Sequence, residues 1–214
     1  MNLGEFNSLT DLFFYQAGKQ NPQSIFLKWL NPNNKKSFTW AETTLNVHKL
    51  TKVLKKHISE GDRCLLVSEN RPEWLISDLA IMSANGITVP AYTTYTESDY
   101  KFLIEDCKPS VIIISNNDMH EKLKKIIAEK TFIKKVITFE KIGAADYGNK
   151  YLDFNSIVNS DLQESDKIKN LNLKRTTPAC IIYTSGTGGN PKGVILSHGG
   201  ILNNCEGSCE ILKP

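Results

Sequence analysis

Short apolar runs alternate with helical patterns along most of this chain, and that alternation constrains its fold more than any other feature. Residues 63–68, 87–91, 110–115 and 135–139 are compact runs of the length and β-branched content that suit buried strands. Between them, Trp74, Ile76 and Leu79, then residues 97–107, then Met119, Leu123, Ile126 and Ile127 follow helical patterns. Strands that alternate with helices pair in parallel, because each crossover helix returns the chain to the same end of the sheet. The expected class is therefore α/β, with a largely parallel sheet covered by helices on both faces.

Boundary signals refine this reading. Residues 1–36 form a preface: an amphipathic helix around Leu9, Leu12, Phe13 and Ala17, a strand over 24–30, and a polar turn over 31–36. The rest, 37–214, reads as one α/β unit. Thr39 or Ser37 is placed to cap a long helix starting near Trp40, whose apolar face carries Val47, Leu50, Leu54 and Ile58. Lys49, Lys52, Lys55 and Lys56 take the other positions and read as a solvated face. Gly61 stands where a helix end needs a left-handed residue. Asn70, Pro72 and Glu73 read as the cap and first turn of the next helix. Residues 141–176 are less regular, with a weak helix over 151–159 and a polar surface connection from about 161 to 177.

Composition excludes several function classes. A chain of 214 residues that is 40% hydrophobic and 23% charged can bury a core, so disorder is not its main state. A net charge of +3 excludes a strongly basic nucleic-acid scaffold. The longest apolar runs, 111–114 and 179–183, fall far short of the ~18 residues that span a bilayer. Nor is there a signal-peptide pattern at residues 1–6, so the expected location is cytoplasmic, with room for peripheral contact at the inner face of a membrane. The five cysteines are scattered and suit a reducing compartment. Cys64, Cys107 and Cys180 sit among apolar residues. Cys205 and Cys209 would share a helix face, without the His or Cys partners that a metal site needs. His48, His57 and His120 fall on polar helix faces, and His198 is expected to cap or pack against the helix that follows it, over about 199–205.

The chemistry concentrates in one segment. An apolar strand over 178–183 runs into Thr184, Ser185, Gly186, Thr187, Gly188, Gly189, Asn190, Pro191, Lys192 and Gly193, followed by another apolar run over 194–196. Closely spaced glycines let the backbone approach a ligand, and successive amide N–H groups form a concave anion site. Thr184, Ser185 and Thr187 add hydroxyl donors and Lys192 adds a positive charge. That inventory suits a polyphosphate partly neutralised by a divalent metal. A Walker A loop would need Gly before the lysine and Ser or Thr after it, where this chain has Pro191 and Gly193. A dinucleotide fingerprint would need Gly at Pro191 and a helix immediately after the loop.

Residues 183–193 closely resemble the phosphate-binding signature of the adenylate-forming (AMP-binding) superfamily, Tyr-Thr-Ser-Gly-Thr-Thr/Ser-Gly-x-Pro-Lys-Gly. Similar segments occur upstream at 38–42, 68–74, 89–94 and 100–115, and 70–74 with 89–94 most resemble long-chain fatty-acyl-CoA synthetases. The resemblance implies the N-terminal part of the large domain of such an enzyme, ending after its phosphate loop. It implies ATP-dependent activation of a carboxylic acid, here a long-chain fatty acid, to an acyl-adenylate and then to a coenzyme A thioester. ATP, Mg²⁺, the fatty acid and coenzyme A are the implied cofactor and small-molecule partners, with no nucleic acid. Thr184 would help hold Mg²⁺ and the phosphates, Ser185 to Gly189 would close over the β- and γ-phosphates, and Lys192 would stabilise the departing charge. Gly188 stands where the family has Thr or Ser, which removes one hydroxyl from the cradle. The family's adenine pocket, acyl tunnel and catalytic C-terminal lysine lie beyond this loop, so the chain is expected to need that remainder and to be inactive alone. A truncated, non-catalytic nucleotide-binding module is the alternative.

Overall fold

The computed structural model describes residues 2–31, 34–143, 149–168, 171–184 and 191–212. In chain order the elements are α1 (Leu9–Lys19), β1 (Ile25–Asn31), β2 (Asn34–Thr39), α2 (Trp40–Leu54), β3 (Arg63–Val67), α3 (Pro72–Ser83), β4 (Ile87–Ala91), α4 (Glu97–Cys107) and β5 (Val111–Ile114). They continue with α5 (Asn117–Glu129), β6 (Lys135–Thr138), β7 (Tyr151–Asp153), α6 (Phe154–Val158), β8 (Pro178–Thr184), β9 (Lys192–Ser197) and α7 (His198–Leu212).

Seven strands form one sheet in the order β7-β6-β5-β3-β4-β8-β9. Every neighbouring pair is parallel except β8 and β9, which run antiparallel. The α/β expectation holds. Residues of β3 and β5 are buried on both sides, which is why their sequences are continuous apolar runs rather than alternating ones. One face packs on α1, α2, α3 and α6 through residues such as Phe13, Leu50, Ile76 and Phe154. The other packs on α4 and α5 through Leu103, Ile104, Leu123 and Ile127. From β3 the chain moves to β4 on one side and then to β5 on the other, so the strand order reverses at β3.

Local sequence explains most boundaries. Thr39 caps α2 in a capping box: its Oγ1 accepts the Glu42 N–H at 3.1 Å, and Glu42 Oε2 accepts the Thr39 N–H at 2.8 Å. Val47, Leu50 and Leu54 are fully buried, as their spacing requires. Ile58 is also buried, although the helix ends before it. Gly61 does adopt a left-handed φ of +77°, but in the turn into β3, where its N–H donates to Asn85 O at 2.9 Å. It does not end α2.

Several expectations are corrected. The segment read as a polar turn over 31–36 is largely strand: β2 begins at Asn34 and pairs antiparallel with β1, while Pro32 and Asn33 lie outside the described residues. The weak helix over 151–159 is β7 followed by the short α6, with Asp153 capping the helix. The lysine face of α2 is only half solvated. Lys49 Nζ donates to Val158 O at 2.5 Å and Lys52 pairs with Asp166 at 2.7 Å, whereas Lys55 and Lys56 are exposed. His48 is buried rather than on the surface: it stacks on Phe14, and its Nδ1 accepts the Ile168 N–H at 3.2 Å. Cys64 and Cys107 are buried, and burial pushes the Cys107 thiol up to about 12. Cys205 and Cys209 are exposed on α7, and no group of three or more His, Cys, Asp or Glu residues among the described residues is arranged to hold a metal. No helix among the described residues is long and apolar enough to cross a membrane.

Candidate functional site

The antiparallel register of β8 and β9 places Thr184 opposite Lys192 and Tyr183 opposite Gly193. Directly opposed residues share a sheet face with their Cβ atoms roughly 5 Å apart, so the Thr184 hydroxyl and the Lys192 chain stand on one side of the strand ends. Both are exposed. The expected strand–loop–strand arrangement is therefore present at its two ends. Ser185, Gly186, Thr187, Gly188 and Gly189 lie outside the described residues.

On the opposite face, Tyr183 is 6% exposed and crosses towards Gly193. A Cβ on Gly193 would sit 2.9 Å from Ile181 Cγ2 and 3.2 Å from Tyr183 Cζ, so a larger residue there would displace those two side chains. The Tyr183 hydroxyl donates to Asp106 Oδ2 at 2.5 Å. Burial raises the Tyr183 phenol above its ordinary value and keeps it protonated as the donor. Asp106 was invisible as a site neighbour in the sequence. One signal was available: Glu105 and Asp106 occupy the last turn of α4, which holds no basic residue and where the helix dipole disfavours acids; Lys130 offsets Glu105 at 2.7 Å. An acid in such a place is there for a partner elsewhere.

Beside Tyr183 a cleft of about 420 Å³ opens at the C-terminal ends of β3 and β4. This is the end of a parallel sheet where ligands ordinarily bind, close to the point where the strand order reverses. Trp74, Tyr92, Tyr95 and Tyr183 make its aromatic wall, with Glu69 and Asn70 among its polar residues. The wall is braced from behind. The buried Tyr100 hydroxyl donates to Tyr92 O at 2.7 Å, and Lys122 Nζ donates to Thr93 O at 2.9 Å.

Asn70 does not cap α3. Arg71 occupies the N-cap position and makes no side-chain cap bond. Its guanidinium, 2% exposed, instead hydrogen-bonds Glu73 at 3.0 and 3.2 Å and Glu140 at 2.7 Å, and lies over the Trp29 ring at 4.7 Å. Lys36 Nζ reaches Glu73 at 2.9 Å from β2. Burial alone would raise the Glu73 carboxyl, but the hydrogen bonds from Arg71 and Lys36 outweigh it and hold the group below its ordinary value. A buried charge with several bonds in place costs ~3–5 kcal/mol when one partner is removed. The cluster thus anchors the Ser68–Arg71 turn against β1, β2 and the end of β6, and with it the polar edge of the cleft.

His198 follows β9 directly and is the first residue of α7. It is 1% exposed, and its Nδ1 accepts the Leu9 N–H at 3.3 Å, so it helps satisfy the start of α1 as a buried structural residue.

The chain is similar to known proteins in sequence and in fold. The sequence model described as AMP-binding enzyme matches residues 13–213. The long-chain-fatty-acid–CoA ligase FadD15 of Mycobacterium tuberculosis is 29% identical over 152 residues, which is 71% of this chain and 24% of that protein. The long-chain-fatty-acid–CoA ligase ACSBG1 of Homo sapiens is 27% identical over 193 residues, 88% of this chain and 26% of its own length. The chain thus spans about a quarter of the curated relatives it matches. Among solved structures, acetoacetyl-CoA synthetase from Streptomyces lividans superposes with a TM-score of 0.82 at 19% identity, covering 94% of this chain and 32% of that one. The fatty acid AMP ligase from Legionella pneumophila superposes with a TM-score of 0.71 at 22% identity, covering 95% and 32%. These likenesses report the fold.

Proposed function

The chain belongs to the AMP-binding enzyme family, and we propose that its β8–β9 turn binds the polyphosphate of ATP as part of a carboxylate-activating, acid–thiol ligase. The observation that carries this reading is the register that sets Thr184 against Lys192 across the mouth of a glycine- and hydroxyl-rich loop. Lys192 neutralises phosphate charge, Thr184 donates from its hydroxyl, and residues 185–189 contribute backbone N–H groups and the hydroxyls of Ser185 and Thr187. The work of such a site is positioning and electrostatic stabilisation of a departing pyrophosphate, with no covalent step on the protein. Its reaction is the attack of a carboxylate on the α-phosphate, giving an acyl-adenylate that coenzyme A then converts to a thioester. The curated relatives named above are long-chain-fatty-acid–CoA ligases, which supports a long-chain fatty acid as the carboxylate.

The donor set fits Mg²⁺ only as a phosphate-borne ion. Magnesium keeps several waters and takes few protein ligands beside substrate phosphates. The chain offers the Thr184 hydroxyl and, among the described residues, no acidic cluster. When bound, the ion would neutralise phosphate charge, with Thr184 as this chain's donor.

Because the 214 residues span about a quarter of the curated relatives, they are proposed to bind polyphosphate without completing the reaction alone. Calorimetric titration with inorganic tripolyphosphate and with Mg-ATP tests the site. Removing Lys192, as Lys192→Ala, is expected to weaken both on the order of tenfold or more, as loss of a charged hydrogen-bonding partner does, while the circular dichroism spectrum stays unchanged. Equal affinity in parent and variant overturns the role of Lys192. Carboxylate-dependent pyrophosphate exchange by the 214 residues overturns the expectation that they are inactive alone.

A further inference from the structure

Among the described residues, β9 stands at the edge of the sheet and pairs with β8 alone. Residues Lys192 to Leu196 are all exposed, so little packing holds the end that carries Lys192. A strand end with one neighbour and open faces frays readily. For Lys192 to meet a ligand at a defined place, something must hold the β8–β9 mouth closed.

From this geometry we infer that Asp106 is a positioning residue for the phosphate-binding turn, acting through Tyr183 and Gly193 to keep Thr184 and Lys192 opposite one another. The inference rests on the polyphosphate reading above. Tyr183 immediately precedes Thr184, and Gly193 immediately follows Lys192. The Tyr183 hydroxyl is held by Asp106, and its ring lies alongside Gly193, 3.2 Å from where a Cβ on that residue would stand. Asp106 comes from the last turn of α4, on the helical layer rather than the strand pair, and α4 is seated in the core through Tyr100, Leu103 and Ile104. The contact therefore ties the edge of the sheet to a buried helix, one residue before Thr184. Asp106 has no other hydrogen bond or ion pair among those described, which separates this use from a general surface role. The acids of the last turn of α4 are also unfavourable for the helix itself, so the residue type is explained by Tyr183 and not by helix formation.

The test is a double-mutant cycle read by titration of inorganic tripolyphosphate into the 214-residue chain. Asp106→Ala is expected to weaken binding about fivefold, and Tyr183→Phe by a similar factor. The double variant should be no worse than either single one, because both remove the same contact. Asp106→Asn keeps an acceptor for the phenol and should recover part of the loss. Thr96→Ala serves as the stability control: it removes the N-cap of α4 without touching Tyr183, so it should lower Tm and leave binding unchanged. Additive losses, or a Thr96→Ala effect on binding equal to that of Asp106→Ala, reduce Asp106 to a stability residue and overturn the inference. Unaltered binding in Asp106→Ala overturns it while the polyphosphate reading survives. Absence of binding by the parent chain overturns both.

Discussion

His198 shows how a residue beside the candidate site serves another purpose. Its Nδ1 accepts the Leu9 N–H, which requires the neutral ring, and burial pushes its pKa down from 6.5 to about 4. Between those values the unfolded chain binds a proton that the folded chain refuses, so stability present above pH 6.5 is lost as pH falls towards 4. Asp78 opposes this, because burial pushes its carboxyl up from 3.8 to about 6 and its contribution disappears as pH rises through that value. The two partly cancel between pH 4 and 6, and a variant is needed to separate them. His198→Asn offers an acceptor oxygen that does not titrate in this window. Comparing urea midpoints at pH 7 and 4.5, the parent is expected to lose up to ~3 kcal/mol more than the variant. Equal losses would refute the assignment. His198 was expected to serve the helix that follows it; it is instead the first residue of that helix and its ring bonds the start of α1, a partner its position could not reveal because Leu9 lies 189 residues away. Pro72 and Glu73 do open α3, as their spacing indicated, but Asn70 is not its cap: Arg71 stands at that position, and Glu73 is used by Arg71 and Lys36.

At the scale of elements, strong local signals and their structural outcomes agree best where one motif satisfies itself. The capping box at Thr39 needs only Thr39 and Glu42, both within one turn. Thr39→Ala is expected to cost ~1 kcal/mol and lower Tm by roughly 2–4 °C, as read by thermal denaturation. Asn70→Ala should leave Tm nearly unchanged, because Asn70 is exposed and caps nothing. A larger loss at Asn70 than at Thr39 would contradict the caps assigned to α2 and α3. The elements that sequence reading missed, β2 and β7, lack such signals. β2 is the polar run Asn-Lys-Lys-Ser-Phe-Thr, stabilised by pairing with β1, and β7 has only three residues. Neither carries enough periodicity to register as a strand. Strand identity there comes from a neighbour's hydrogen bonds.

Across the whole molecule the packing is uneven. β3 and β5 lie at the centre of two apolar layers, while β9 leaves Val194, Ile195 and Leu196 at 45%, 62% and 38% exposed on an open edge. An exposed apolar edge strand is a template for pairing with another chain. The 214 residues are expected to self-associate with rising concentration, and Ile195→Lys, which puts a charge on that edge, should reduce the association measured by light scattering. A parent chain that stays monomeric at high concentration would show that the edge is protected. The sequence by itself determined the α/β class, the parallel core strands, the helix faces and the two strands that flank residues 185–190. Each depends on periodicity or spacing within a few residues, which reports local burial directly. Only the tertiary structure decided the strand order, the buried Arg71 cluster, the partner of His198 and the Asp106–Tyr183 contact that braces the turn. Those contacts join residues whose neighbours are set by the route of crossover helices, and no local pattern encodes that route.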